Sequence, residues 1–245
     1  MPTANGIFYA ERGAGPPLLC VHGAGGTHRH WGGLLAGLAA TARVIALDLP
    51  GHDRSAPPGR ATLAAYAADL AALLDALGIE RASVAGHSMG AAVALELAVA
   101  APWRVAGLAL VGASARLRVA PALLDGLAAA PAPAIEQLVA TMYPTAPQLR
   151  APAAAEYMRW PATLRADFLA CDGWDIRARL VGLRLPALVL CGEADQLTPP
   201  KLARELQALL GAALAMLPGV GHVPMIEAPE ATAAALRGWQ ATLGG

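Results

Sequence analysis

Gly86-His87-Ser88-Met89-Gly90 is the stretch that decides how this chain folds. The residues before it, Ser83-Val84-Ala85, are small or β-branched, and Met89 opens a run of small apolar residues of helical length. The pentapeptide therefore reads as a strand turning sharply into a helix. Such a turn strains the backbone of its central residue, so positions two residues to either side must be almost free of side chain. With 26 glycines and only four serines, a chance Gly-x-Ser-x-Gly match is expected about 0.05 times. The bland alternative is a glycine-rich turn with an incidental serine, and the strand-to-helix context weighs against it.

Outward from this turn, short apolar runs alternate with helix-length segments. The runs span 18–21, 44–47, 83–85, 105–111, 187–191 and 212–217. They are continuous rather than alternating, as strands buried on both faces of a parallel sheet are. Helices are predicted over 62–77, 89–101, 200–210 and 229–243. In the first, Leu63, Tyr66, Leu70, Leu73, Leu74 and Leu77 share one face, Thr62 is placed to cap it and Gly78 to stop it. Strands alternating with helices give βαβ units, hence an α/β fold with a mostly parallel sheet.

The alternation stops between Ala113 and Leu185. Prolines at 121, 131, 133, 144, 147, 152 and 161 cut this stretch into short helices and turns, with no convincing strand. The chain thus divides into a core, 1–112 and 186–245, and a helical insertion, 113–185. The insertion holds five of the 11 aromatic residues in 73 of 245 positions. Packing on the sheet is the plain reading. A lid over the carboxyl edge of the strands, where open α/β sheets bind ligands, is the functional one.

Composition excludes several classes. Eighteen basic and 18 acidic residues cancel, which leaves no basic footprint for nucleic acid or anionic lipid. The mean hydropathy of +0.46 makes a membrane protein worth testing. However, Gly211, Pro218, Gly219 and Pro224 interrupt the longest charge-free stretch, Leu206 to Ile226, so no apolar helix of about 20 residues exists. The start of the chain lacks the pattern of a signal peptide. Cys20, Cys171 and Cys191 have neither Cys-x-x-Cys nor metal spacing. A soluble, cytoplasmic protein without a metal site is expected.

A serine hydroxyl needs a positioned base. Of six histidines, His87 adjoins Ser88 on a turn where neighbouring side chains diverge, whereas His222 lies in a glycine-flanked loop after the last apolar run. Asp195 follows the run 187–191 and can hold an imidazole in its tautomer; Glu193 is the competing acid. In His22-Gly23-Ala24-Gly25-Gly26, the Ala24 amide, with Gly25 as the alternative, can pair with that of Met89 around an oxyanion. The same glycines invite a dinucleotide reading with Asp48 as the ribose acid. They lack the full Gly-x-Gly-x-x-Gly, and that reading leaves Ser88, Asp195 and His222 as coincidences.

Taken together, LLCVHGAGG, VIALDLPGHDRS, VAGHSMG, LVLCGEADQLTPP and LPGVGHVPMIEAPE resemble an α/β-hydrolase of the proline-iminopeptidase, enol-lactonase and carboxylesterase type over nearly the whole chain. The resemblance implies Ser88 as nucleophile, Asp195 as acid, His222 as base, Ala24 and Met89 as oxyanion donors, and 113–185 as a helical cap. It makes His22 and the loop Asp48–His52 structural. Asp53 stands where the pattern usually has glycine, and the chain has room for one strand, 6–10, before Leu18. Serine at 88 argues against the relatives that use an aspartate nucleophile, and Val223-Pro224-Met225 after His222 lowers the carbon–carbon hydrolase reading. The expected function is hydrolysis of a small-molecule carboxylic ester, lactone or thioester without cofactor. The rivals are acyl transfer or perhydrolysis on the same residues, and a ligand-binding receptor on the same fold. The expected pocket comprises Gly25, Tyr143, Tyr157, Trp160, Trp174 and Val223, and its apolar character favours neutral esters. Arg159 and Arg165 are the candidate anchors for a carboxylate, with a solvated helix face as the plainer reading.

Overall fold

The structure, a computed structural model, describes residues 2–243. In chain order its strands are β1 Thr3–Ala4, β2 Ile7–Arg12, β3 Pro17–Val21, β4 Arg43–Leu47, β5 Ala82–His87, β6 Val105–Val111, β7 Ala187–Gly192 and β8 Ala213–Leu217. They form one sheet in the order β1-β2-β4-β3-β5-β6-β7-β8. The β1–β2 and β2–β4 pairs are antiparallel; every pair from β4 to β8 is parallel. The strand expected over 6–10 is β2, and the room before it holds a two-residue stub, β1.

Helices α1 Gly32–Leu38, α2 Leu63–Ala76 and α3 Met89–Ala100 lie between the early strands. Four more, α4 Pro121–Ala129, α5 Pro131–Met142, α6 Arg150–Tyr157 and α7 Pro161–Cys171, fill the excursion between β6 and β7. The chain ends with α8 Pro200–Leu210, α9 Pro224–Glu227 and α10 Pro229–Ala241. Each of α4, α5, α7, α8, α9 and α10 begins at a proline, whose missing N–H is harmless in a first turn. Thr62 caps α2 as expected, its hydroxyl accepting from Ala65 N at 3.2 Å.

Alternate residues of each strand feed two cores. Leu19, Val21, Val84, Leu108 and Val189 pack with α2, α3 and α8. Leu18, Cys20, Ala85, Ala109 and Leu190 pack with α1, α10 and the helices of the excursion. Burial on both faces explains why β3 to β7 read as continuous apolar runs. β8 departs from that reading. It is the edge strand, with Ala213 and Leu214 exposed and the rest half-buried.

The register brings four loops together. Val21 pairs with Gly86, His87 with Val111, Val111 with Leu190 and Gly192 with Leu217. The segments leaving β3, β5, β7 and β8 therefore emerge side by side at one carboxyl edge. At the β5–α3 turn, a Cβ on Gly86 would run into the Gly90 carbonyl oxygen and lie 2.6 Å from Ala91 Cα. Gly86→Ala is therefore expected to destabilise by about 1–3 kcal/mol, an overpacking effect. That amounts to a fall in Tm of several degrees, about 2–4 °C per kcal/mol for a chain of this size. Gly238→Ala, on the exposed side of α10 with open space around it, should instead leave Tm unchanged or raise it. Thermal unfolding of the two variants tests the pair.

Candidate active site

Ser88 occupies the turn between β5 and α3 with φ 51° and ψ −116°, a left-handed conformation rare outside glycine. Its N–H donates to Val111 O at 2.9 Å, which fixes the turn against β6. Its Oγ lies 3.0 Å from His222 Nε2. His222 Nδ1 lies 2.9 Å from Asp195 Oδ2. The carboxylate only accepts, so the imidazole proton resides on Nδ1 and Nε2 presents its lone pair to the serine hydroxyl. Asp195 is further held by the N–H groups of Leu197 and Thr198, both 2.9 Å from Oδ1, and by the Thr198 hydroxyl at 2.8 Å from Oδ2. Burial raises the Asp195 pKa, but the histidine and these donors outweigh it and the net shift is downward. Glu193, the competing acid, is exposed.

The loop carrying His222 is held from three sides. Its N–H donates to Met142 O at 2.9 Å, and its carbonyl accepts from His87 Nε2 at 2.9 Å. Glu227 accepts from the N–H groups of Gly221 and Val223, at 2.8 and 2.9 Å. His87 does not hydrogen-bond Ser88. Burial, with His222 nearby, holds its pKa well below the ordinary value, so it is a neutral support for the His222 backbone. His22 is likewise buried and neutral; its Nε2 accepts from Leu49 N at 2.9 Å and its Nδ1 lies 2.8 Å from Gly23 O. His22 thus ties the β3 loop to the β4 loop.

Beside Ser88, Gly26 N–H closes a tight turn onto Gly23 O at 3.0 Å. The Gly25 N–H is committed to Asp167 Oδ2 at 2.8 Å. Of the two loop amides weighed as anion donors, Ala24 is therefore the one left without an acceptor. The Met89 N–H heads α3 and has no intrahelical partner either. Asp167 is fully buried and also takes bonds from His52 Nε2 at 2.8 Å and the Tyr66 hydroxyl at 2.9 Å. Burial opposes a charge on His52, but Asp167 and the neighbouring carbonyls raise its pKa.

Ser88 and His222 face a cavity of about 20 Å³, room for one water. Gly23, Ala24 and His87 line its floor, Leu138, Met142, Tyr157 and Phe168 its roof, and Leu197 its side. Of the six expected pocket residues, only Tyr157 lines it. Tyr143 and Val223 are buried in the core beside it, because their own segments hold the His222 loop. Gly25 is covered by Leu164 and Tyr157, and Trp160 Nε1 donates to Gly25 O at 3.2 Å. Trp174 belongs to the other core, with its Nε1 donating to Glu96 Oε1 at 2.8 Å. Arg159 pairs with Asp53 and stacks on Trp160, and Arg165 bonds Leu124 O; neither reaches the cavity.

Asp53 does take the left-handed conformation that its place in the turn requires, φ 36°. Asp48 is fully buried and holds the β3 and β4 loops together: its Oδ1 lies 2.7 Å from His28 N and 2.8 Å from His28 Nδ1, and its Oδ2 accepts from Arg54 N at 3.4 Å. Among the described residues, His28, Asp48 and Asp53 form one group with ligand atoms within 4.8 Å of one another. Asp53 is already paired with Arg29 and Arg159. Among the described residues, no helix is long and apolar enough to cross a membrane.

Residues 18–235 match the Alpha/beta hydrolase family. The chain belongs to that family. It is 39% identical over 232 residues to the dihydrolipoyllysine-residue acetyltransferase component of the acetoin cleaving system of Pseudomonas putida, covering 88% of this chain and 61% of that protein. The chain thus spans under two thirds of the length of this relative. The pimeloyl-[acyl-carrier protein] methyl ester esterase of Neisseria meningitidis is 30% identical, with 89% of this hydrolase-family chain and 90% of the relative aligned. Among solved structures, a thermophilic esterase from Thermogutta terrifontis superposes with a TM-score of 0.87 at 27% identity, over 97% of this chain and 93% of that one.

The downward shift at Asp195 has a pH consequence with a definite sign. A carboxyl whose folded pKa is depressed contributes stability above its unfolded pKa and loses it as pH falls through the folded value. The stabilisation that the parent chain has over Asp195→Asn should therefore be lost as pH falls below about 4, the ordinary aspartate range. Thermal melts from acid to neutral pH measure this directly.

Proposed function

We propose that this chain hydrolyses carboxylic esters through an acyl-enzyme on Ser88. The observation that carries the reading is the run of hydrogen bonds from Ser88 Oγ to His222 and on to Asp195, beside the free amides of Ala24 and Met89. Ser88 Oγ attacks the ester carbonyl while His222 Nε2 takes its proton. Asp195 holds the ring in the required tautomer and stabilises the imidazolium. The tetrahedral oxyanion sits on the Ala24 and Met89 N–H groups, each such donor being worth about 10²–10³ in rate. His222 then protonates the departing alkoxide, and water resolves the acyl-enzyme by the same route in reverse. Residues 113–185 act as the cap over this site, and the protein works in the cytoplasm on a small-molecule ester without metal or organic cofactor.

The esterases among its relatives and structural neighbours support this class. An apolar roof of Leu138, Met142, Tyr157 and Phe168 suits a neutral acyl group. The acetyltransferase named among the relatives favours a second reading, in which an alcohol or thiol rather than water intercepts the acyl-enzyme. Partitioning of a p-nitrophenyl ester between water and an added alcohol separates the two.

A fluorophosphonate should label Ser88, and Ser88→Ala should lose both labelling and ester turnover while keeping its Tm. Labelling that persists in the variant moves the nucleophile elsewhere. Asp195→Asn should lower kcat by up to about 10⁴, the effect of the equivalent change in the serine-protease example. Glu193→Gln should have little effect, and the reverse ranking would reassign the acid.

Substrate preference is expected to be graded. An apolar pocket discriminates by about 1–3 kcal/mol per methylene. Short and medium neutral esters should thus exceed dicarboxylic half-esters in kcat/KM. A large advantage for anionic esters, lost in Arg159→Ala or Arg165→Ala, would refute the neutral pocket.

A further inference from the structure

The loop that carries the Ala24 amide is held by the helices lying over it. The Gly25 peptide units are gripped at both ends: the N–H by Asp167 Oδ2 on α7 at 2.8 Å, the carbonyl by Trp160 Nε1 at 3.2 Å, just before α7. Two residues on, the Thr27 hydroxyl donates to Glu156 Oε1 on α6 at 3.3 Å. The fit has no slack. Gly25 has φ 63°, and a Cβ there would lie 2.6 Å from Leu164 Cδ1 on α7 and 3.0 Å from Tyr157 Cδ1 on α6.

Asp167 is itself seated in the core domain. His52 offers it Nε2, while its Nδ1 lies 3.1 Å from the Pro50 carbonyl. With the Tyr66 hydroxyl and the Gly25 N–H, the carboxylate receives three donors, from the β4 loop, α2 and the β3 loop. It works as a plug that registers α7 against three elements at once.

The cavity at Ser88 holds about 20 Å³ in this arrangement, far too little for an ester. An ester therefore displaces part of this roof, whereas the loop beneath it is tied to α7 and the residue before it by Asp167 and Trp160. We propose that Asp167 and Trp160 are positioning residues that hold Gly25 and thereby fix the Ala24 amide as an oxyanion donor beside Ser88. The inference rests on the reading of Ser88 as the nucleophile. Without these two residues the Gly23–Gly26 turn loses both external bonds on Gly25 and the Ala24 amide is no longer held beside Ser88. With them the donor is fixed before charge develops, which is where preorganisation acts.

The test uses the full chain and a p-nitrophenyl ester, with active sites counted by fluorophosphonate titration. Trp160→Phe keeps the ring and removes one neutral donor, so kcat per active site should fall about tenfold with KM little changed. Asp167→Ala removes a charged acceptor and should lower kcat about 10–100-fold. Asp167→Asn, which retains an oxygen for Gly25, should recover most of that loss. Affinity for a trifluoromethyl ketone, whose adduct on Ser88 carries the oxyanion, should fall by the same factor as kcat. A merely structural role would reduce the titrated fraction of active sites and leave kcat per site and ketone affinity unchanged. That result in Trp160→Phe overturns the proposal, even if Asp167→Ala fails to fold. Ser88→Ala, run alongside, separates the failures. If it is inactive while Trp160→Phe matches the parent chain, only the positioning inference falls; if it stays active, the ester-hydrolase reading falls first.

Discussion

The closeness of backbone to backbone at the β5–α3 turn governs the rest of the carboxyl edge. Ser88 holds a strained conformation of a kind worth of order 1–3 kcal/mol. It persists because the turn is over-determined: its N–H is bonded to β6, and Gly90 lies directly against the carbonyls of Val21 and His22. That second approach draws the end of β3 up to the serine. The loop His22–Gly26 consequently starts beside Ser88, and any side chain at 90 would push the two apart. A similar approach recurs where Gly192, at the end of β7, touches the carbonyls of Val220 and Gly221. It keeps the Asp195 turn within reach of the His222 loop.

Histidines illustrate how burial divides roles among identical side chains. His22 and His87 have each one ring nitrogen bonded to a carbonyl, and desolvation keeps both neutral. They brace loops. His52 faces acceptors at both nitrogens and a carboxylate at one, so despite burial its pKa is raised and it pairs with Asp167. His222 alone has a carboxylate on Nδ1 and a hydroxyl on Nε2. Its neighbour in sequence, Glu227, fixes the backbone on both sides of it and so sets where that lone pair points.

What a sequence can reveal follows from how local the cause is. The β5–α3 turn, the Thr62 cap and the left-handed Asp53 are set by residues within a few positions, and they were legible. So was the order of Ser88, Asp195 and His222, because loops after parallel strands must share an edge. Trp174 and Trp160 were misplaced because an aromatic in a helical excursion shows no sign of which partner its N–H will find. One finds Glu96 on α3, the other Gly25 O, 135 residues away. Asp167 was missed for the same reason. It sits in α7, among residues of no clear periodicity, and its three partners are 101 to 142 residues distant. Glu227 had a local signal, an acid five residues after His222 and two before the Pro229 that opens α10.

The seat of α7 uses a buried histidine–carboxylate pair where the cavity roof uses apolar side chains, and the two kinds of contact answer different needs. Apolar contacts such as Leu138 and Phe168 over Ser88 exclude water but specify no register, since they lose little on sliding. An ion pair in the interior adds little net stability, because desolvation offsets the Coulomb gain. It is severe only towards incomplete states: one buried partner left without the other costs about 3–5 kcal/mol. A placement of α7 half a turn away would separate Asp167 from His52, Tyr66 and Gly25 together and so be disfavoured. For the proposed oxyanion site, which takes the Ala24 amide from a loop bonded to α7, register is the property that matters, since a shifted α7 would leave Ala24 out of position.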